Sequence, residues 1–107
     1  MSEPVYLDYN ATAPVRPEAR AAVAHALELG GNPSSVHAAG RAARALVEQA
    51  RESVARLIAA PASTVVFTSG GAEANGLAIE SAVAAGSRRL IVAAIEHVTV
   101  LESARAS

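Results

Sequence analysis

The chain has 107 residues, a net charge of -1 and an apolar fraction of 51%, with only 3% aromatic, so one small domain at most rests on Val, Leu and Ile. Its nine basic residues are all arginine and are dispersed, which argues against nucleic acid as a partner, and its apolar runs fall far short of the ~20 residues a membrane helix needs. Neither cysteine nor lysine occurs; this excludes disulfides, thiolate metal sites, a P-loop lysine and a Schiff-base lysine contributed by these residues.

Met1-Ser2-Glu3-Pro4 lacks the basic and apolar regions of a signal peptide, which makes the cytoplasm the expected compartment. Residues 4–9 alternate briefly, and Asn10-Ala11-Thr12-Ala13-Pro14 then breaks the pattern, so a short extended arm is expected over residues 1–16. Asn10 and Thr12 are candidates to face a site, although turn residues of this type ordinarily bond nearby backbone.

Pro17-Glu18 opens a helix that runs to Leu29 and ends at Gly30-Gly31. His25 lies beside its apolar stripe, without a second metal ligand at i+4. Asn32-Pro33-Ser34-Ser35 forms a loop in which either serine can cap the next helix. That helix is expected to reach about Ala59, because Val36, Ala39, Ala43, Leu46, Val47, Ala50, Val54, Leu57 and Ile58 recur at three- and four-residue steps. Its polar face offers the pairs Arg44–Glu48 and Glu52–Arg56, each worth ~0.3 kcal/mol when exposed. His37 falls in the first turn, where a surface role and a neutral imidazole are the ordinary reading.

Val65-Val66-Phe67-Thr68-Ser69-Gly70-Gly71-Ala72-Glu73-Ala74-Asn75 reads as a buried strand, a tight glycine turn and a helix start. The first N-H groups of a helix have no internal partner and carry the positive end of its dipole, which makes this turn a candidate phosphate seat; a structural βα turn is the competing reading. The helix continues to Gly86 as its C-cap. Leu90-Ile91-Val92-Ala93-Ala94-Ile95 then reads as a parallel strand buried on both faces. Strand, helix and strand over about 30 residues form a βαβ unit. Glu96 and His97 follow at the strand's carboxyl end, where parallel sheets bind ligands, and Thr99-Val100-Leu101-Glu102 starts a further helix.

A Walker P-loop is excluded by the missing Gly-Lys-Ser/Thr. A dinucleotide fingerprint is weakened because Gly70, Gly71 and Gly76 lack its spacing, although Glu96 stands about 20 residues on, where a ribose-binding acid would be. A phosphate seat and an imidazole on one sheet edge suit a cofactor with a phosphate at one end and an aromatic ring at the other. Pyridoxal phosphate has that shape.

Four stretches together resemble the class V, fold type I pyridoxal-phosphate enzymes, and most closely the cysteine desulfurases. They are residues 6–14, Gly31-Asn32-Pro33-Ser34-Ser35-Val36-His37 with Gly40-Arg41, residues 67–75, and Glu96-His97-Val98-Thr99-Val100-Leu101-Glu102. The resemblance implies an α/β fold, with a parallel-type sheet flanked by helices that is incomplete in this chain. Residues 1–16 would join a small domain, and residues 17–107 would form the first part of the large cofactor-binding domain.

The resemblance also implies that Gly71 and Ala72 bind the phosphate of pyridoxal 5'-phosphate, and that His97 stacks on its ring and shuttles protons. Asn10 and the Asn32–His37 loop would lie near the site entrance. The implied reaction takes sulfur from L-cysteine as an enzyme persulfide, leaving L-alanine. It is tied to iron-sulfur cluster assembly, in a homodimer that meets a sulfur-acceptor or scaffold protein. The alternatives are another class V aminotransferase or lyase, or a non-catalytic phosphate-binding or interaction fragment of the same fold.

Two substitutions depart from the family's pattern. Ala72 stands where the family usually has threonine, and Val98 where proline often follows the histidine. The family's lysine, aspartate, cysteine and substrate-binding arginine all fall later than this region, so the 107-residue chain alone is expected to be inactive. Its exposed sheet edges and unburied Leu, Val and Ile are expected to make it poorly soluble or dependent on a partner.

Overall fold

A computed structural model describes residues 4–107; residues 1–3, and with them the start of the expected arm, lie outside the described residues. The chain divides into two compact units, one ending at Val65 and the other spanning Val66–Ser107.

In the first unit, residues 4–16 form no regular element. Ala11 N and Thr12 N both donate to the Asp8 carbonyl at 3.2 and 3.3 Å, and the Tyr6 and Tyr9 rings stand 5.7 Å apart. Helix α1, Pro17–Leu29, begins on its proline, carries Glu18 in its first turn and stops at Gly30, whose φ of 43° lies in the left-handed region. Helix α2, Ala38–Leu57, is the longest at 20 residues. The expected serine cap is replaced by His37, whose Nδ1 accepts the Gly40 N-H at 3.3 Å. The serines precede the cap position in a loop where Ser34 N donates to Asn32 Oδ1 and Ser35 N to the Asn32 carbonyl, both at 2.9 Å. Gly40 is buried under this loop, and a Cβ there would stand 2.2 Å from the Ser35 carbonyl oxygen.

The polar face of α2 also departs from expectation. Glu48 meets Arg51 at 3.1 Å instead of Arg44, while Glu52 and Arg56 approach to 4.0 Å. Arg51 reaches past Glu48 to donate to the Val65 carbonyl. This tethers the chain after the 3-10 turn Ala62–Thr64 back onto α2, where Ala55 is buried.

The second unit holds α3, Gly71–Ala84, and α4, Val98–Ala106. Gly86 follows the α3 cap with φ 96°, Gly86 N bonds to Val83 O at 2.9 Å and Ser87 N to Ala82 O at 3.0 Å, which is a complete Schellman closure. The two helices pack with their N-terminal ends together: Asn75 meets Thr99, and Glu80, Val83 and Ala84 line one hollow with Ser103, Ala106 and Ser107.

The expected parallel sheet is not formed among the described residues. Val65–Phe67 and residues 90–93 run without a ladder, and Ala94–Ile95 turn. A parallel pair gains its stability from burial on both faces and from neighbouring strands, and two short strands supply neither. Ile91 is 93% exposed and Ile95 is 95% exposed, although their composition is that of a doubly covered strand.

Candidate functional site

The turn before α3 is closed by its own side chains. Thr68 Oγ1 donates to the Gly70 carbonyl at 3.1 Å, and Ser69 gives both its N-H and its hydroxyl to Glu73 Oε2, at 2.7 and 2.6 Å. These bonds, the Ser69 hydroxyl first and its backbone N-H second, hold the Glu73 carboxyl below the usual carboxylate range. Both hydroxyls of the turn are thereby committed. What remains at the end of α3 is backbone: the helix has no side-chain cap, and Gly71 and Ala72 are exposed in its first turn.

Neither Gly70 nor Gly71 has a left-handed φ, and a Cβ on either would meet nothing within 4 Å. The tight turn expected to require these glycines is absent. The space beside both glycines is open, and the N-H groups of the first turn carry the positive end of the α3 dipole, a donor set that suits an anion.

His97 follows a turn in which Glu96 N donates to Ala93 O at 3.2 Å, and it caps α4. Its Nδ1 accepts the Thr99 N-H at 3.3 Å and lies 2.9 Å from Thr99 Oγ1. Thr99 Oγ1 in turn accepts from Asn75 Nδ2 at 2.9 Å. Asn75 stands four residues after Gly71, on the same helical face. The structure therefore brings His97 to the end of the helix pair that carries Gly71 and Ala72, through the chain Asn75, Thr99, His97.

Asn75 and Thr99 were part of the motifs read from the sequence but had no role in that reading. The available signal was Asn75 itself, an amide in a helix interior where its propensity is poor and a partner is the usual reason for it.

The candidates of the first unit are engaged locally. Asn10 lies in the turn closed on Asp8, Asn32 builds the loop before α2, and His37 caps that helix. Arg41 Nη1 donates to the Val36 carbonyl at 2.6 Å, and His25 is exposed on α1.

Against this geometry, the chain is 43% identical over 106 residues to the cysteine desulfurase IscS of Dictyoglomus turgidum, covering 95% of this chain and 27% of that protein. It is 48% identical over 103 residues to a cysteine desulfurase of Cereibacter sphaeroides, covering 92% and 27%. It is also 48% identical over 83 residues to the selenocysteine lyase of Bos taurus, covering 77% and 19%. The chain thus spans about a quarter or less of the length of these curated relatives. No solved structure matches it. The model of the class-V aminotransferase family matches residues 5–106, nearly the whole sequence, and the chain belongs to that family.

Proposed function

We propose that these residues are one wall of a pyridoxal-phosphate site, in the N-terminal portion of a cysteine desulfurase of fold type I. The observation that carries this reading is the convergence at one end of α3 and α4: uncapped backbone donors at Gly71 and Ala72, and the exposed imidazole of His97 tied to the same helix by Asn75 and Thr99. The names of the relatives supply the reaction class.

In this reading Gly71 and Ala72 would hold the phosphate on backbone N-H groups, and the imidazole of His97 would stack on the ring. Pyridoxal phosphate supplies the electron sink for bond cleavage next to an amino-acid Cα. With Thr68, Ser69 and Ala72 offering no hydroxyl to the phosphate, the seat depends on the dipole and the backbone. Residues 1–16 would join a small domain and residues 17–107 the large one, in a cytoplasmic homodimer that passes sulfur to an acceptor or scaffold protein for iron-sulfur cluster assembly. The lysine and cysteine that this chemistry needs are not among these 107 residues, so the chain alone is inactive toward L-cysteine.

A second reading is favoured by the relatives named selenocysteine lyase, 48% identical in Bos taurus and 49% in Homo sapiens, which places selenium in competition with sulfur as the element removed. The test is to read the native frame beyond the codon for Ser107, express the whole product and assay it with L-cysteine and L-selenocysteine. A following lysine with sulfide release supports the desulfurase. Selenide release alone transfers the assignment to the lyase. A stop codon at that point overturns both in favour of a non-catalytic phosphate-binding module.

A further inference from the structure

The bonds around His97 define where its proton sits. Nδ1 faces the Thr99 backbone N-H, which can only donate, so that nitrogen must accept and a neutral ring must carry its hydrogen on Nε2. The Thr99 hydroxyl reinforces this. It is 2.9 Å from Nδ1 and accepts from Asn75 Nδ2, which leaves its own hydrogen free to point at the imidazole. Asn75 and Thr99 are half-buried while His97 is exposed, and the bond from Asn75 to Thr99 is itself part-buried, so the hydroxyl that faces Nδ1 is held from the inner side of the helix pair.

We propose that Thr99, oriented by Asn75, is a positioning residue that fixes His97 in the Nε2-H tautomer and makes it a stacking plate and hydrogen-bond donor instead of a general base. A general base needs a lone pair facing the proton it takes. Here the Nδ1 lone pair is spent on α4, and Nε2 carries hydrogen. The ligand group that Nε2 meets is therefore an acceptor, such as a phenolate, carboxylate or carbonyl oxygen. This rests on the pyridoxal-phosphate reading for the identity of the ligand, but the tautomer itself does not depend on it.

The test is nitrogen NMR of the full chain with 15N-labelled histidine, His97 being assigned by its loss in His97→Gln. His97 is expected to show an acceptor Nδ1 and a protonated Nε2. Thr99→Val, which keeps the backbone N-H but removes the hydroxyl, is expected to shift the tautomer ratio about fivefold toward Nδ1-H. Thr99→Ser is expected to restore it, and Asn75→Ala to give a smaller shift in the same direction.

A His97 with Nδ1-H in the majority, a Thr99→Val spectrum identical to wild type, or signals matching those of the chain in urea would each overturn the proposal. Broadening of the 31P signal of added pyridoxal phosphate, followed with the whole product of the native reading frame in place of these 107 residues alone, separates the two claims. Binding without the expected tautomer sinks the positioning role alone, and the expected tautomer without binding sinks the cofactor reading alone.

Discussion

Glu73 binds the turn before α3 through one carboxylate oxygen, and that makes the turn sensitive to acid. Its Oε2 accepts from the Ser69 hydroxyl and N-H, and these bonds hold its carboxyl below the ordinary value of 4.5. A carboxyl lowered in the folded state contributes stability that is fully present above its unfolded value and is lost as pH falls through the folded one. Hydrogen exchange at the Ser69 amide is therefore expected to quicken, beyond its intrinsic pH dependence, as pH drops below about 4.5. In Glu73→Gln, that extra acid dependence should vanish; an identical profile in both chains would show that the carboxylate does not hold the turn. At this scale the sequence was partly legible. Gly71 and His97 stood out through residue type and order and Ala72 through the family resemblance alone, whereas the bond between Asn75 and Thr99 spans 24 positions and depends on how α3 and α4 pack.

The helices were readable because their signals are local. Pro17 and Gly30 bound α1, and Gly86 closes α3, the proline through its fixed φ and the glycines through their freedom to take a positive one. The serine cap failed because α2 starts at Ala38, which leaves Ser34 and Ser35 in the Asn32 loop three and two positions before the cap, and His37 takes the cap position. The strands failed because a strand is defined by a partner, and Leu90–Ile95 holds no information about which one. The C-terminus of α2 has a subtler feature. Ala60 N donates to Ala55 O and Ala59 N to Arg56 O, a Schellman closure in which the left-handed residue is Ala59, at φ 52°, where glycine is usual. An L-side chain there costs about 1–2 kcal/mol, and glycine's added freedom in the unfolded chain takes back part of that. Ala59→Gly is expected to slow hydrogen exchange in the last turn of α2 by a few-fold, for a net gain of about 0.5–1 kcal/mol. Faster exchange there would show that the closure carries no strain.

Burial decides what the whole chain can do by itself. Among the described residues only Ala55 and Val65 form a buried apolar core, while Leu7, Val36, Leu57, Ile91 and Ile95 are each at least 85% exposed. Ordering the backbone costs roughly 1–2 kcal/mol per residue, and apolar burial returns only about 25 cal/mol per Å² covered. Side chains left in water return nothing, so the helices persist on local bonds such as their caps and closures, and such bonds melt independently. A dilute, monomeric sample of the 107-residue chain is therefore expected to lose far-UV ellipticity gradually on heating, without a sigmoidal transition, and to bind a hydrophobic dye before heating. Supplying the covering surface, in a longer product of the same reading frame, should abolish the dye signal and sharpen the melt. A cooperative transition in the short chain would mean that its apolar residues, Ile91 and Ile95 among them, find partners within residues 1–107.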